Sequence, residues 1–188
     1  MENQIPRYLS SAIKSKIGKN KVILLFGTRR VGKTWFIEDI VKETNIEHLF
    51  LNGEDQDIQA LLATRTVANY KRVLGNAQLL IIDEAQVIPE IGKILKLLID
   101  SFKNLTIIAS GSSAFDLSNQ TGEPLTGRSL TYYLYPIAQL ELKEVENGLQ
   151  TVQSLEDRLI FGSYPELFHL DTTIEKAQYL TELVKRTC

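Results

Sequence analysis

The apolar run Val22 to Phe26 leads directly into Gly27-Thr28-Arg29-Arg30-Val31-Gly32-Lys33-Thr34, a complete G-x-x-x-x-G-K-T phosphate loop, and a helical pattern of Phe36, Ile37, Ile40 and Val41 follows it. Strand, glycine loop and helix in that order restrict the fold more than any other feature of the chain. A loop between a buried strand and a helix start turns backbone N–H groups around a polyphosphate, and the helix N-terminus adds a favourable dipole. Gly27 and Gly32 allow the tight turn and close approach. Lys33 is placed to reach the β and γ phosphates and Thr34 to ligate Mg²⁺, while Thr28, Arg29, Arg30, Val31 and Trp35 complete the surround. Trp35 reads as a core side chain near enough to report nucleotide binding.

A second apolar run, Leu79 to Ile82, ends in Asp83-Glu84. Strand ends of open parallel sheets present ligand-contacting groups, so Asp83 is the candidate magnesium residue beside Thr34. Glu84 directly after it suits a base that polarises an attacking water, which favours hydrolysis over transfer to a second substrate. The two motifs together point to a nucleoside triphosphate with Mg²⁺.

Further strand patterns lie at His48 to Leu51, Leu105 to Ala109 and Leu130 to Leu134, with helical patterns between the first four strands. That alternation predicts an α/β fold with a parallel sheet wrapped by helices. Residues 5 to 17 carry apolar side chains at helical spacing, predicting an amphipathic helix beside the nucleotide site. A helix from about Glu90 to Phe102 has Ile91, Ile94, Leu95, Leu98 and Phe102 on one face. Ser110 to Arg128 reads as a long loop, rich in Gly, Ser, Thr, Asn and Asp, with Pro124 inside it. Ser110 or Ser112, following the fourth strand, is placed to sense the γ-phosphate or orient the water. Arg128 is a candidate for stabilising transition-state charge in its own site or a neighbour's, with a plain surface arginine as the alternative.

The 188 residues suit one domain with a sizeable core, and 44% hydrophobic content with 23% charge excludes disorder as the general description. No stretch has the length of a membrane span and no signal-peptide core is visible, so the default location is cytoplasmic. The single cysteine, Cys188, excludes an intrachain disulfide, and His48 and His169 stand apart from any metal-ligand spacing. Net charge is −2, but the first 34 residues carry eight Lys or Arg against one Glu. Outside the phosphate loop, Lys14, Lys16, Lys19 and Lys21 read as solvated lysines ahead of a nucleic-acid patch, because the overall charge does not support one.

The strings GTRRVGKT, LLIIDEAQ and IIASGSSAFDLS, the pair Gly127-Arg128, Tyr135-Pro136-Ile137 and the late GSYPELF resemble, in this order, a prokaryotic family of predicted AAA+ superfamily ATPases. In that family the ATPase domain precedes a C-terminal domain of uncharacterised function. The resemblance runs from about Ile5 to Phe168 and implies a P-loop NTPase core of the additional-strand type, with five parallel strands in the order 5-1-4-3-2. It implies ATP and Mg²⁺ as ligands, Lys33 and Thr34 at the phosphate and metal positions, Asp83 and Glu84 at the metal and water-activating positions, and Ser110 at the polar sensor position. Thr28, Ala85 and Ser163 depart from residues usual in the family, and none of the three touches a catalytic role.

The expected organisation is an N-terminal helix over 1–20 packing on the core, an ATPase core over 21–140 and a helical extension over 141–188. The apolar-periodic pattern from Leu180 to Cys188 has no stop signal, so the chain reads as the N-terminal part of a longer protein whose C-terminal domain is missing. The leading function is ATP hydrolysis coupled to that domain or to an oligomeric partner such as a second copy. The competing one is a nucleotide switch with little hydrolysis. A DEAD-like helicase matches Asp83-Glu84-Ala85-Gln86 but needs a second recombinase-like domain. A GTPase needs Asp-x-x-Gly and Asn-Lys-x-Asp strings that are absent, and a small-molecule kinase needs a lid and usually lacks the Asp-Glu pair.

Overall fold

A computed structural model describes residues 5–112 and 125–185 of the chain. Among them, strands β1 (Val22–Phe26), β2 (His48–Asn52), β3 (Leu79–Asp83), β4 (Thr106–Gly111) and β5 (Ser129–Tyr133) form one sheet in the order β2-β3-β4-β1-β5. Every pairing is parallel. Read from the other edge, this is the order 5-1-4-3-2. The three inner strands are buried along their whole length, as a parallel sheet covered on both faces requires of near-continuous apolar runs. β4 runs two residues beyond its apolar run, taking Ser110 and Gly111 into the sheet beside the end of β3.

Alternation along β1 feeds two cores. Val22, Leu24 and Phe26 face α3 (Gln56–Ala63), α4 (Val67–Leu74) and α5 (Ile91–Ser101), packing with Tyr70, Ile94, Leu95 and Leu98. Ile23 and Leu25 face α1 (Leu9–Lys14) and α2 (Lys33–Thr44), packing with Ile13, Phe36, Ile37 and Ile40. The spacing of α5 therefore places its apolar face as predicted.

The N-terminal helix is shorter than the predicted span of 5–17. Proline disfavours helix at the residue before it, and Pro6 follows Ile5. Gly18 turns the chain away with φ 79°. Between these limits, the segment before α1 is held by a buried ion pair. Arg7 Nε donates to Glu141 Oε1 at 3.3 Å, its Nη2 donates to the Tyr135 carbonyl, and the Tyr8 N–H reaches Glu141 Oε1 at 2.8 Å. Glu141 lies in α6 (Gln139–Leu142) and also accepts from the Ala138 N–H at 2.9 Å. Glu141→Ala strands a buried guanidinium and two N–H groups, and is expected to cost about 3–5 kcal/mol in urea unfolding. A loss under about 1 kcal/mol is the contrary result.

Helices α7 (Gly148–Gln153), α8 (Leu155–Phe161) and α9 (Thr173–Lys185) complete the described chain, with a 3-10 turn at Pro165–His169. Leu167, Tyr179 and Leu183 form a small third core. On α7 and α8 the usual polarity is reversed: Leu149, Val152, Leu155, Leu159 and Ile160 are exposed, while Thr151, Ser154, Asp157 and Arg158 are half-buried. Arg158 binds Glu146 and Gln139, and Lys176 binds Asp157 at 2.6 Å. No helix among the described residues is long and apolar enough to cross a membrane.

Candidate nucleotide site

The phosphate loop leaves β1 at Phe26 and enters α2 at Lys33. A Cβ on Gly27 would stand 2.6 Å from the Leu134 carbonyl oxygen and 2.9 Å from Val31 Cγ1, so only glycine fits. Gly32 has φ 91° and Arg30 φ 62°, two left-handed residues of the kind that fold successive N–H groups into an anion-binding concavity. Val31 is fully buried and anchors the loop from beneath. The Lys33 side chain arches over the loop, donating to the carbonyls of Gly27 at 2.9 Å and Thr28 at 3.3 Å. Burial pushes its ammonium below the ordinary lysine range. Glu84 and Asp83 pull it back up and Arg29 adds to the lowering.

Thr34, in the first turn of α2, donates to Asp83 Oδ2 at 2.5 Å. The other carboxylate oxygen, Oδ1, accepts from the Ser110 hydroxyl and, at 3.2 Å, from the Glu84 N–H. A hydroxyl and a buried carboxylate at the mouth of a phosphate loop form a hard, all-oxygen donor set. It suits Mg²⁺, which takes few protein ligands and keeps phosphate and water for the rest. Among the described residues no cluster of three His, Cys, Asp or Glu offers another metal site.

Glu84 breaks the strand in left-handed geometry, φ 49° and ψ 42°. Such a conformation in a non-glycine residue persists only where its surroundings hold it. Gly53, just past β2, supplies part of that hold: its N–H donates to the Asp83 carbonyl at 2.7 Å. A Cβ on Gly53 would stand 2.6 Å from the Glu84 carbonyl oxygen and 3.0 Å from that of Asp83. Gly53→Ala must displace backbone, so it is expected to cost about 1–3 kcal/mol of stability and to slow any reaction that uses Glu84. Thermal unfolding unchanged from the parent chain would refute this.

Lys33, Thr34, Asp83, Glu84 and Ser110 thus meet at one end of the sheet, but three readings need correction. Ser110 is fully buried with its hydroxyl committed to Asp83, so it braces the carboxylate instead of facing open space. Trp35 is 46% exposed and not in the core, because the inward face of α2 is taken by Phe36, Ile37 and Ile40. Arg128 lies at the opposite end of the sheet from its own chain's loop. Its carbonyl accepts from the N–H of Val22, where β1 begins, and its Nε donates to Asp100 at 2.7 Å. A role for Arg128 in its own site is excluded by this placement. Most of the predicted loop, residues 113–124 with Pro124, lies outside the described residues, as does Cys188.

Sequence reasoning missed four residues. Tyr164 donates to the Thr28 hydroxyl at 3.0 Å, Tyr179 offers its ring to the Arg30 guanidinium at 5.5 Å, Gln86 donates to Glu84 Oε2 at 2.6 Å, and Gly53 holds the Glu84 turn. Only Gln86 carried a local signal, its place two residues after the glutamate.

With this geometry in place, a family model described as an AAA domain matches residues 19–143. The chain belongs to the AAA domain family. This AAA domain is 26% identical over 190 residues to the uncharacterized protein MJ1544 of Methanocaldococcus jannaschii, matching 94% of the chain and 43% of that protein. It therefore spans less than half of the relative's length. Among solved structures, the Walker-type ATPase PABY2304 of Pyrococcus abyssi superposes with a TM-score of 0.63 at 17% identity, covering 87% of the chain and 65% of that one. At such identity the likeness shows the fold alone.

Proposed function

We propose that this AAA domain binds Mg-ATP and hydrolyses its β-γ phosphoanhydride bond. The observation that carries the reading is the Thr34–Asp83 hydrogen bond, which joins two motifs far apart in sequence at the mouth of the phosphate loop. In this reading the phosphates are bound by the Lys33 ammonium and by the loop N–H groups other than those of Gly27 and Val31, which donate to the Gly111 and Thr28 carbonyls, with Arg29 adding charge. Thr34 and Asp83 hold Mg²⁺, which when bound offsets phosphate charge. Glu84 accepts a proton from water as its oxygen attacks the γ-phosphorus and the bond to the β-phosphate oxygen breaks, leaving ADP and phosphate. Family membership supports adenine as the base.

Coupling to residues 141–188, to a C-terminal domain or to a neighbouring copy belongs to the same proposal. Tyr164 on Thr28 and Tyr179 beneath Arg30 support it, since two loop residues are held by the segment C-terminal to the core. Arg128 enters only as a residue acting on a neighbour in a homo-oligomer. The same two contacts favour a second reading, a switch that binds ATP with little cleavage. Single-turnover cleavage of labelled Mg-ATP by excess protein separates them. Exponential cleavage supports the hydrolase; bound, uncleaved ATP supports the switch.

A further inference from the structure

We propose that Gln86 is a positioning residue that fixes the Glu84 carboxylate for water activation, an inference that rests on the hydrolase reading above. Glu84 has a fixed backbone but a long side chain, and a base misplaced by about 1 Å loses on the order of a hundredfold in rate. Gln86 supplies the restraint. It sits in the 3-10 turn Ala85–Val87, which is pinned by fully buried Ala85, by the Val87 N–H on the Glu84 carbonyl at 3.3 Å, and by the Ile88 N–H on the Ala85 carbonyl at 3.1 Å. From there its amide nitrogen reaches back to Glu84 Oε2 at 2.6 Å and across to the Ser112 hydroxyl oxygen at 3.5 Å, beyond the end of β4. The amide is thus strung between the ends of two neighbouring strands, with the carboxylate held in the gap.

Chemistry explains the residue type. An amide NH₂ offers two donors and no negative charge, so it can hold one carboxylate oxygen and a hydroxyl together. Fixing Oε2 leaves Oε1 to accept the proton from water. A glutamate at the same position would set like charge against Glu84 and donate nothing when ionised. The arrangement is a base with its orienting partner, in which Gln86 acts through Glu84.

The test compares the parent chain, Gln86→Ala, Gln86→Glu and Gln86→His, with Glu84→Gln as control, by single-turnover cleavage and by Mg-ATP affinity from Trp35 fluorescence. Gln86→Ala and Gln86→Glu are expected to slow cleavage about 10- to 100-fold while the Kd stays within about threefold. Gln86→His, which keeps an N–H donor at similar reach, should recover much of the loss. Cleavage by the Ala or Glu variant within about twofold of the parent overturns the proposal, as does a Kd weakened as much as cleavage or no recovery with His. A parent chain that binds but does not cleave ATP overturns the hydrolase reading itself. Full cleavage by Glu84→Gln removes Glu84 as the base. Each failure is therefore distinguishable from a failure of Gln86 alone.

Discussion

Glu84→Gln is expected to lower single-turnover cleavage by about 10²–10⁴-fold while Mg-ATP still binds, the range set by removing a positioned general base. The substitution is nearly isosteric. It leaves in place the backbone hydrogen bonds from the Glu84 N–H to Asp83 and Ser110 and the close contact with Gly53, so the strand end keeps its shape. It also leaves Thr34 and Asp83, the proposed metal pair, untouched. What is lost is the ability to take a proton from water at one carboxylate oxygen. Affinity and cleavage should therefore separate, with cleavage falling alone, the pattern of an interaction made only in the transition state. A variant that cleaves at the parent rate removes Glu84 from the chemistry; a variant that loses binding equally makes it structural.

Much of the fold was legible because the inner strands are apolar without interruption. Val22 to Phe26 and Leu79 to Ile82 can only be strands buried on both faces, and each is followed by the residues its chemistry needs. The spacing of α5 was equally readable, since burial of Ile91, Ile94, Leu95 and Leu98 repeats with the helical turn. The local sequence around residues 5–17 misled because its apolar spacing continues through a segment whose polar groups are claimed elsewhere. Glu141, more than a hundred residues away, takes the Tyr8 N–H and the Arg7 side chain, and no local pattern encodes that pairing. The same holds for Tyr164 on Thr28 and Gly53 under Glu84. For Arg128 the alternatives stayed open for a related reason: Gly127 beside it marks a turn, but the end of the sheet to which the turn belongs, which removes the own-site role and leaves the surface arginine, follows from the register of β5 on β1.

The phosphate loop is held from three sides before any ligand enters. Val31 is sunk in the core below it, Leu134 closes on Gly27, and the C-terminal tyrosines engage Thr28 and Arg30. Prior order in the loop lowers the entropy that binding must overcome. Arg30 is the exception within it. Its guanidinium already lies over the Tyr179 ring on α9, so its charge serves the contact with the C-terminal helix, and Lys33 remains as the loop cation that feels the carboxylates of Asp83 and Glu84, with Arg29 close enough to act on Lys33.

Lys33→Met should therefore separate folding from binding with opposite signs. The Lys33 side chain is only 6% exposed, and burial opposes its charge even with Asp83 and Glu84 nearby. Methionine keeps a similar stem without the charge, and volume-conserving replacements of this kind cost less than about 1.5 kcal/mol. The nucleotide-free variant is expected to melt no lower than the parent chain, since a desolvated ammonium is removed and the carbonyls of Gly27 and Thr28 lose only one donor. Binding should suffer. A fixed cation aimed at phosphate oxygens in a partly dry site contributes on the order of a hundredfold, or about 2.7 kcal/mol of affinity. At a nucleotide concentration about 100 times the parent Kd, the parent gains about 2.7 kcal/mol of stability from ligand, while a variant weakened a hundredfold gains only about 0.4 kcal/mol. Thermal melts with and without Mg-ATP read both quantities at once. A variant whose melting temperature rises with Mg-ATP as much as the parent's removes Lys33 from phosphate recognition, whereas one that melts far lower without ligand gives the lysine a role in the fold.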